Sequence, residues 1–259
     1  MAAHCGCDVT VYDVGINGDV KNSGVVDRKI AYGTKNIAKE AAMTKEQVLN
    51  AIMTGVDAAK AADADILGIG EMGIGNTTTA SCVLSVLLDI DAEKVTGRGG
   101  GLTADAFRNK KEVIRRAIES NKPDKDDVLD VLSKVGGFDI AAMCGAFIGA
   151  ALSKRPVVID GFISVVAALC AVRLCPNVLG YLIASHNSFE LGYVLAIREL
   201  GLSPMLDLDM RLGEGSGCPL AFQIIDAALS VMNSMATFES AGINDGYLEE
   251  IRQGDQFTP

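Results

Sequence analysis

Apolar positions recur along this chain with two different periods, and the period tends to change at glycine-rich loops. Asp8 to Val14 alternates and is rich in β-branched residues, which predicts a strand running into the turn Gly15-Ile-Asn-Gly18. Residues 19–43 are mixed and polar, without a clear period. Thr44-x-x-Gln47 spells a capping box, and Val48, Ile52, Val56 and Ala59 then fall on one face of a helix ending near Ala62. Asp65 to Gly70 reads as a second, buried strand. It leads into Glu71-Met-Gly-Ile-Gly-Asn-Thr-Thr-Thr79 and an apolar helix to Leu88. A glycine loop at Gly97–Leu102 precedes a charged amphipathic helix from Ala104 to Ser120, and a further helix is expected over about 126–134. Phe138 to Leu152 is apolar almost all round, the mark of a buried helix.

From there the units become regular. Pro156 to Asp160 is a predicted strand and Phe162 to Leu174 a helix. Leu179 to Ala184 is a strand, and Asn187 to Leu200 a helix with an Asn187-x-x-Glu190 cap. Met205 to Leu208 reads as a short buried strand, followed by a glycine loop and a helix from about Pro219 to Met235. Strands alternating with helices predict an α/β fold, a mostly parallel sheet with helices on both faces. The chain is expected to form one domain over residues 1–259, with a polar tail from about 243.

Composition narrows the function classes. With 259 residues, 49% hydrophobic and 22% charged, the chain is globular and long enough for one substantial core. Acidic residues outnumber basic ones 33 to 23, and the net charge of −10 with no Lys/Arg stripe argues against a nucleic-acid partner. The apolar run at Phe162–Val172 is well short of the ~20 residues a membrane helix needs, and no charged-then-apolar leader is evident. Seven scattered cysteines fit buried thiols in a reducing cytoplasm. Cys5-Gly-Cys7 has no second Cys or His pair at ligand spacing, so no metal is expected.

The candidate chemistry lies at the predicted strand ends. Glu71, Asp160, the Ser185-His-Asn-Ser188 segment and Glu214 would converge on one rim of a parallel sheet, where ligands of open α/β folds bind. Glu214 stands within Gly213-Glu-Gly-Ser-Gly217, just ahead of a helix. It is either a partner of the helix dipole or a carboxylate that takes a proton from a bound substrate. Gly68-x-Gly70-x-x-Gly73 matches the dinucleotide fingerprint literally, but the acid expected at the end of a following strand is missing. A plain tight turn is another reading of that stretch. No Gly-x-Ser-x-Gly elbow accompanies the two histidines, so His186 reads as a hydrogen-bonded loop residue.

Taken together, Glu71–Thr79, Gly97-Arg-Gly-x-Gly-Leu102, Asp160-Gly-Phe-Ile-Ser164, Ser185-His-x-Ser188 and Arg211-Leu-Gly-Glu-Gly-Ser-Gly217 resemble the nicotinate-nucleotide:dimethylbenzimidazole phosphoribosyltransferase family. The resemblance is collinear from about Cys7 to Gly242. It implies a Rossmann-like α/β domain with part of a small helical domain, a likeness to cytoplasmic homodimers, and no cofactor. The implied substrates are nicotinate mononucleotide and a benzimidazole-type base. By motif match, Glu214 corresponds to the family's catalytic base and Glu71 to a carboxylate beside the ribose. Gly73, Gly99, Lys110, Asp160 and Ser188 correspond to residues around the nucleotide, and Leu212 lines the site. Lys111 competes with Lys110 as the phosphate ligand.

Two departures stand out. Family members carry further chain ahead of the position where this one begins, including an Asp-His-Gly motif and part of the base pocket. Phe189-Glu-Leu-Gly-Tyr193 stands where the family often reads Ala-Glu-Pro-Gly-His. These departures leave one alternative, a truncated, non-catalytic nucleotide-binding relative, and Gly68-x-Gly70-x-x-Gly73 leaves a second, an NAD-binding oxidoreductase of Rossmann type.

Overall fold

The computed structural model describes residues 1–244 and Gly246. The chain divides into two compact units, residues 1–221 and 222–259. Beyond Asn244, apart from Gly246, the polar tail expected from about 243 lies outside the described residues.

Two parallel sheets form within the first unit. After the short helix α1 (Ala2–Cys5), β1 (Val11–Asp13) pairs with β2 (Val25–Asp27), Val11 opposite Val25. A separate three-stranded sheet has the order β3-β4-β5, from Leu67–Ile69, Val157–Ile159 and Leu182–Ala184. Leu67 lies opposite Val157, and Val157 opposite Leu182, so the three carboxyl ends align on one rim. The strand expected at Asp8–Val14 therefore belongs to its own sheet, and β2 was hidden in the stretch without a period.

The helices follow the apolar pattern closely. α2 (Lys45–Ala61) starts at the expected capping box: the Gln47 amide donates to Thr44 Oγ1 at 3.1 Å, and the Thr44 amide to Gln47 Oε1 at 3.0 Å. α3 (Asn76–Leu88), the short α4 (Ala92–Val95), α5 (Ala104–Asn121) and α6 (Val128–Val135) come next. α7 (Phe138–Leu152) and α8 (Phe162–Leu174) are buried along most of their length, and both contact β4, whose three residues are all buried. α2 crosses α7 with the backbones touching. A Cβ on Gly55 would lie 1.8 Å from the Ala142 carbonyl oxygen, and one on Gly145 1.9 Å from that of Ile52. Only glycine permits so close a crossing.

Two expectations near the C-terminal end are corrected. The helix after β5 does not start at Asn187. α9 spans Leu191–Glu199, and the Asn187-x-x-Glu190 cap is not formed: Glu190 is the N-cap and makes no side-chain capping bond. Residues 185–189 instead run extended beside 206–210. The Leu206 amide donates to the Ser185 carbonyl at 3.0 Å, the Asn187 amide to Leu206 at 2.8 Å and the Phe189 amide to Met210 at 3.2 Å. Met205–Leu208 accordingly forms no strand. A single parallel bridge joins Leu206 to His186, with the Met205 amide donating to the Ala184 carbonyl at 3.3 Å just before it. α10 (Gly217–Ser234) begins two residues before its expected start.

Candidate functional site

The rim at the ends of β3, β4 and β5 supports the Gly213–Gly217 loop. Gly70, just past β3, lies directly beneath it: a Cβ there would sit 2.3 Å from Gly215 Cα. Asp160, just past β4 and 2% exposed, spends both carboxylate oxygens on the loop. The Gly215 amide donates to Oδ2 at 3.0 Å and the Gly217 amide to Oδ1 at 2.7 Å. These are charge-assisted bonds to a buried acceptor, among the stronger neutral-pH contacts a loop can have. Past β5, His186 and Ser185 abut Gly217, where a Cβ would lie 2.2 Å from His186 Nδ1. His186 is buried and within 2.9 Å of Ser185 Oγ, in line with its reading as a hydrogen-bonded loop residue. Burial lowers its pKa, which favours the neutral ring, against the opposing pull of Asp160.

Held in this way, the loop presents Glu214 to solvent in a left-handed backbone conformation, φ 59°. Such a conformation costs a non-glycine residue energy and persists only where its surroundings enforce it. Glu71 is the neighbouring acid: its Oε1 lies 3.4 Å from where a Cβ on Gly213 would be. Burial pushes the Glu71 carboxyl up to about 7, opposed by the Asn76 side chain and the Gly73 amide and assisted by the charges of Asp139 and Asp160. The Gly73 amide donates to Glu71 Oε2 at 3.1 Å, and the Asn76 side-chain amide donates to the same oxygen.

A cationic corner adjoins these acids. Lys110 is 6% exposed, and its Nζ donates to Thr77 Oγ1 at 2.9 Å and to the Gly97 carbonyl at 3.0 Å. Gly99 (φ 55°) closes over it: a Cβ there would be 3.6 Å from Lys110 Nζ. Helical periodicity explains why Lys110, and not Lys111, reaches this place. Lys110, Ile114 and Ala117 form the buried stripe of α5, one turn apart. Lys111 lies on a different face, 3.5 Å from Glu93 and 4.8 Å from the Phe107 ring centre. Burial lowers the Lys110 pKa, and the Glu190 carboxylate opposes that shift.

The structure thus brings Glu71, Gly73, Asp160 and the Gly213–Glu214 segment together, and sets Gly99 and Lys110 beside them through Thr77, the residue after Asn76. Ser188 is buried, 3.7 Å by its Oγ from a Cβ position on Gly161, while Leu212 is exposed next to Gly213. Two site residues escaped the sequence reading. Asp139, in the first turn of α7, shares the Asn76 amide with Glu71. Glu190 lies under the glycine loop, accepts the Gly99 amide, and leaves Oε2 buried without a hydrogen-bond partner. The signal for Asp139 was an acid two residues after a glycine pair, in the first turn of an apolar helix. A surface groove of about 710 Å³ along α2 is lined by none of these residues. Among the described residues no group of His, Cys, Asp and Glu is placed to hold a metal ion, and no helix is long and apolar enough to cross a membrane.

Two carboxylates on a glycine-bound rim, with a buried lysine under a second glycine loop, form a site suited to a phosphorylated ribose. A family model described as phosphoribosyltransferase matches residues 1–243, and the chain belongs to this family. It is similar to the nicotinate-nucleotide–dimethylbenzimidazole phosphoribosyltransferase of Clostridium perfringens strain 13, 53% identical over 97% of this chain and 71% of that protein. The protein of the same name from Clostridium tetani is 51% identical over 98% of this chain and 71% of its own length. The solved structure of CobT from Thermus thermophilus aligns with a TM-score of 0.90 at 38% identity, covering 95% of this chain and 74% of that one.

Proposed function

We propose that the protein transfers the phosphoribosyl group of nicotinate mononucleotide to 5,6-dimethylbenzimidazole or a related base. The products are α-ribazole 5′-phosphate and nicotinate, a step in cobalamin biosynthesis. The names of the relatives support the substrates. The observation that carries the reading is the Gly213–Gly217 loop, clamped by Asp160 and laid against Glu71.

In this reading Glu214 takes the azole proton of the base while the other ring nitrogen attacks the anomeric carbon from the face opposite nicotinate. The carbon–nitrogen bond to the pyridinium breaks, and its electron pair returns to the pyridine nitrogen, so the leaving group needs no acid. Positive charge grows on the ribose as that bond stretches, and an ionised Glu71 beside it stabilises the charge. Lys110, Gly99, Gly73 and Ser188 hold the nucleotide, with the Lys110 ammonium toward the phosphate, and Leu212 borders the base. Asp160 acts through the loop that carries Glu214. The functional unit is a single α/β domain, all of its candidate residues within 1–221, and it works without a cofactor. The family resemblance supports a homodimer, and the buried thiols of Cys82, Cys144, Cys170 and Cys218 suit the cytoplasm.

The dinucleotide alternative requires pyrophosphate to approach the bare face of Gly70, and that face is covered by Gly215. The test is direct. Incubation with nicotinate mononucleotide and dimethylbenzimidazole should release nicotinate and α-ribazole phosphate in equal amounts, with no heat of NAD binding in calorimetry. Nucleotide binding without nicotinate release would instead establish a non-catalytic binder, and NAD binding without product an oxidoreductase-type site.

A further inference from the structure

Glu71 is tied to a second acid that the reaction as described does not use. Asn76 opens α3, and its side-chain amide donates one hydrogen to Glu71 Oε2 and the other to Asp139 Oδ2, the latter at 2.9 Å. An amide nitrogen has two hydrogens to give and an ionised carboxylate only accepts, so the two acids together fix which way Asn76 points. Two glycines wall this array. A Cβ on Gly73 would lie 2.6 Å from Asn76 Nδ2 and 3.0 Å from Asp139 Oδ2, and one on Gly137 would lie 2.5 Å from Asp139 Oδ1. Among the described residues Asp139 has no ion-pair partner. Its carboxylate is therefore held in place by Asn76 and the start of α7.

We propose that Asp139 is a positioning residue for Glu71: through Asn76 it orients the Glu71 carboxylate against the loop that carries Glu214. The inference rests on the reading of Glu71 as the carboxylate beside the ribose. The groups facing Glu71 are Asp139 on α7, Asp160 at the end of β4, the Asn76 amide on α3, the Gly73 amide of its own loop, and the Gly213 backbone. Glu71 titrates high, at about 7, first through burial; Asn76 and Gly73 pull it down while Asp139 and Asp160 push it up. The two halves of the array thus act on Glu71 with opposite sign. Burial also raises the pKa of Asp139 itself, opposed by the Asn76 side chain and the backbone amides at the start of α7. Where Asp139 is ionised, removing its charge moves the ionisation of Glu71 to lower pH, and removing the Asn76 donor moves it to higher pH.

The experiment measures kcat, KM and the pH dependence of kcat/KM for the full chain and for Asp139→Asn, Asn76→Ala and Glu71→Gln, with nicotinate mononucleotide and dimethylbenzimidazole. We expect a rising limb near the Glu71 value that is absent in Glu71→Gln. The limb should sit at lower pH in Asp139→Asn and at higher pH in Asn76→Ala, with kcat down on the order of ten- to a hundredfold in both and KM little changed. A merely structural Asp139 lowers the thermal midpoint and leaves the limb where it was; that result overturns the proposal. Should Asp139→Asn fail to fold, Asp139→Ser carries the test: a limb at lower pH with reduced kcat supports the proposal, and an unmoved limb overturns it. A limb retained in Glu71→Gln removes the reading of Glu71 itself. A limb lost there but unmoved in Asp139→Asn removes only the role of Asp139.

Discussion

Asp160 Oδ1 receives the Gly217 amide at 2.7 Å, and through that bond the end of the central strand holds the first residue of α10. The Gly215 amide takes the other oxygen. Asp160→Ala leaves two amides without their charged acceptor. It should cost about 2–4 kcal/mol of stability, given the size of hydrogen bonds to charged groups. Turnover should fall further than nucleotide affinity, because the loop that aims Glu214 is released. Calorimetric binding of nicotinate mononucleotide beside kcat on one preparation checks this. Affinity lost in proportion to kcat would place Asp160 on the nucleotide instead.

Gly70 gives an independent handle on the same loop. Its Cβ would meet Gly215 Cα at 2.3 Å, so Gly70→Ala must displace the loop. Gly180→Ala meets nothing within 4 Å and serves as the control. We expect kcat to drop on the order of a hundredfold in the first and to stay within a few-fold in the second, as displacement of about 1 Å at a catalytic group is enough for such a loss.

Glu71 makes stability depend on pH in a definite direction. Its folded pKa of about 7 lies above the ordinary 4.5, so between those values the folded chain binds more protons than the unfolded one. Stability from this group therefore falls as pH rises through that window and is level above it. Glu71→Gln should flatten this slope and melt higher than the parent above pH 7, by an amount on the order of 1–3 kcal/mol. Thermal melts from pH 5 to 8 provide the check. Parallel slopes in the two proteins would show that Glu71 ionises as freely folded as unfolded.

The two neighbouring lysines separate cleanly. Lys110→Ala should weaken nicotinate mononucleotide by roughly 2–3 kcal/mol, the range for a hydrogen bond to a charged group, and leave the dephosphorylated riboside unaffected. Lys111→Ala should change neither, since its ammonium lies toward Glu93. Equal losses for nucleotide and riboside would remove Lys110 from the phosphate.

How far the sequence reached depended on whether the signal was local. Helices α2, α5, α7 and α8 were legible because capping boxes and apolar periods are written into consecutive residues. So was the choice of Lys110, in principle, since Ile114 and Ala117 mark its face as the buried one. β2 was not legible: three residues pair with β1 without an alternating pattern of their own. The start of α9 was misplaced because Asn187 and Glu190 mimic a cap, while the amides of 187 and 189 are claimed by a segment about twenty residues downstream. At the site, Glu71 and Glu214 were conspicuous as acids set among glycines. Asp139 was not, because its link to Asn76 spans 63 residues and its own position reads as an ordinary first-turn acid.

The central claim is that Glu214 is the base. Glu214→Gln keeps the shape of the side chain and removes its basicity. Its exposed position and the independent anchoring of the loop by Asp160 and Gly70 mean the fold should tolerate the change. The measurement is kcat for nicotinate release with dimethylbenzimidazole, taken with the thermal midpoint and nucleotide affinity of the same variant. Loss of a general base predicts a fall of about a hundred- to ten-thousandfold in kcat with binding and midpoint nearly unchanged. Turnover within a few-fold of the parent, with only a loss of roughly 0.3–1 kcal/mol in stability, would make Glu214 a partner of the α10 dipole and contradict the account.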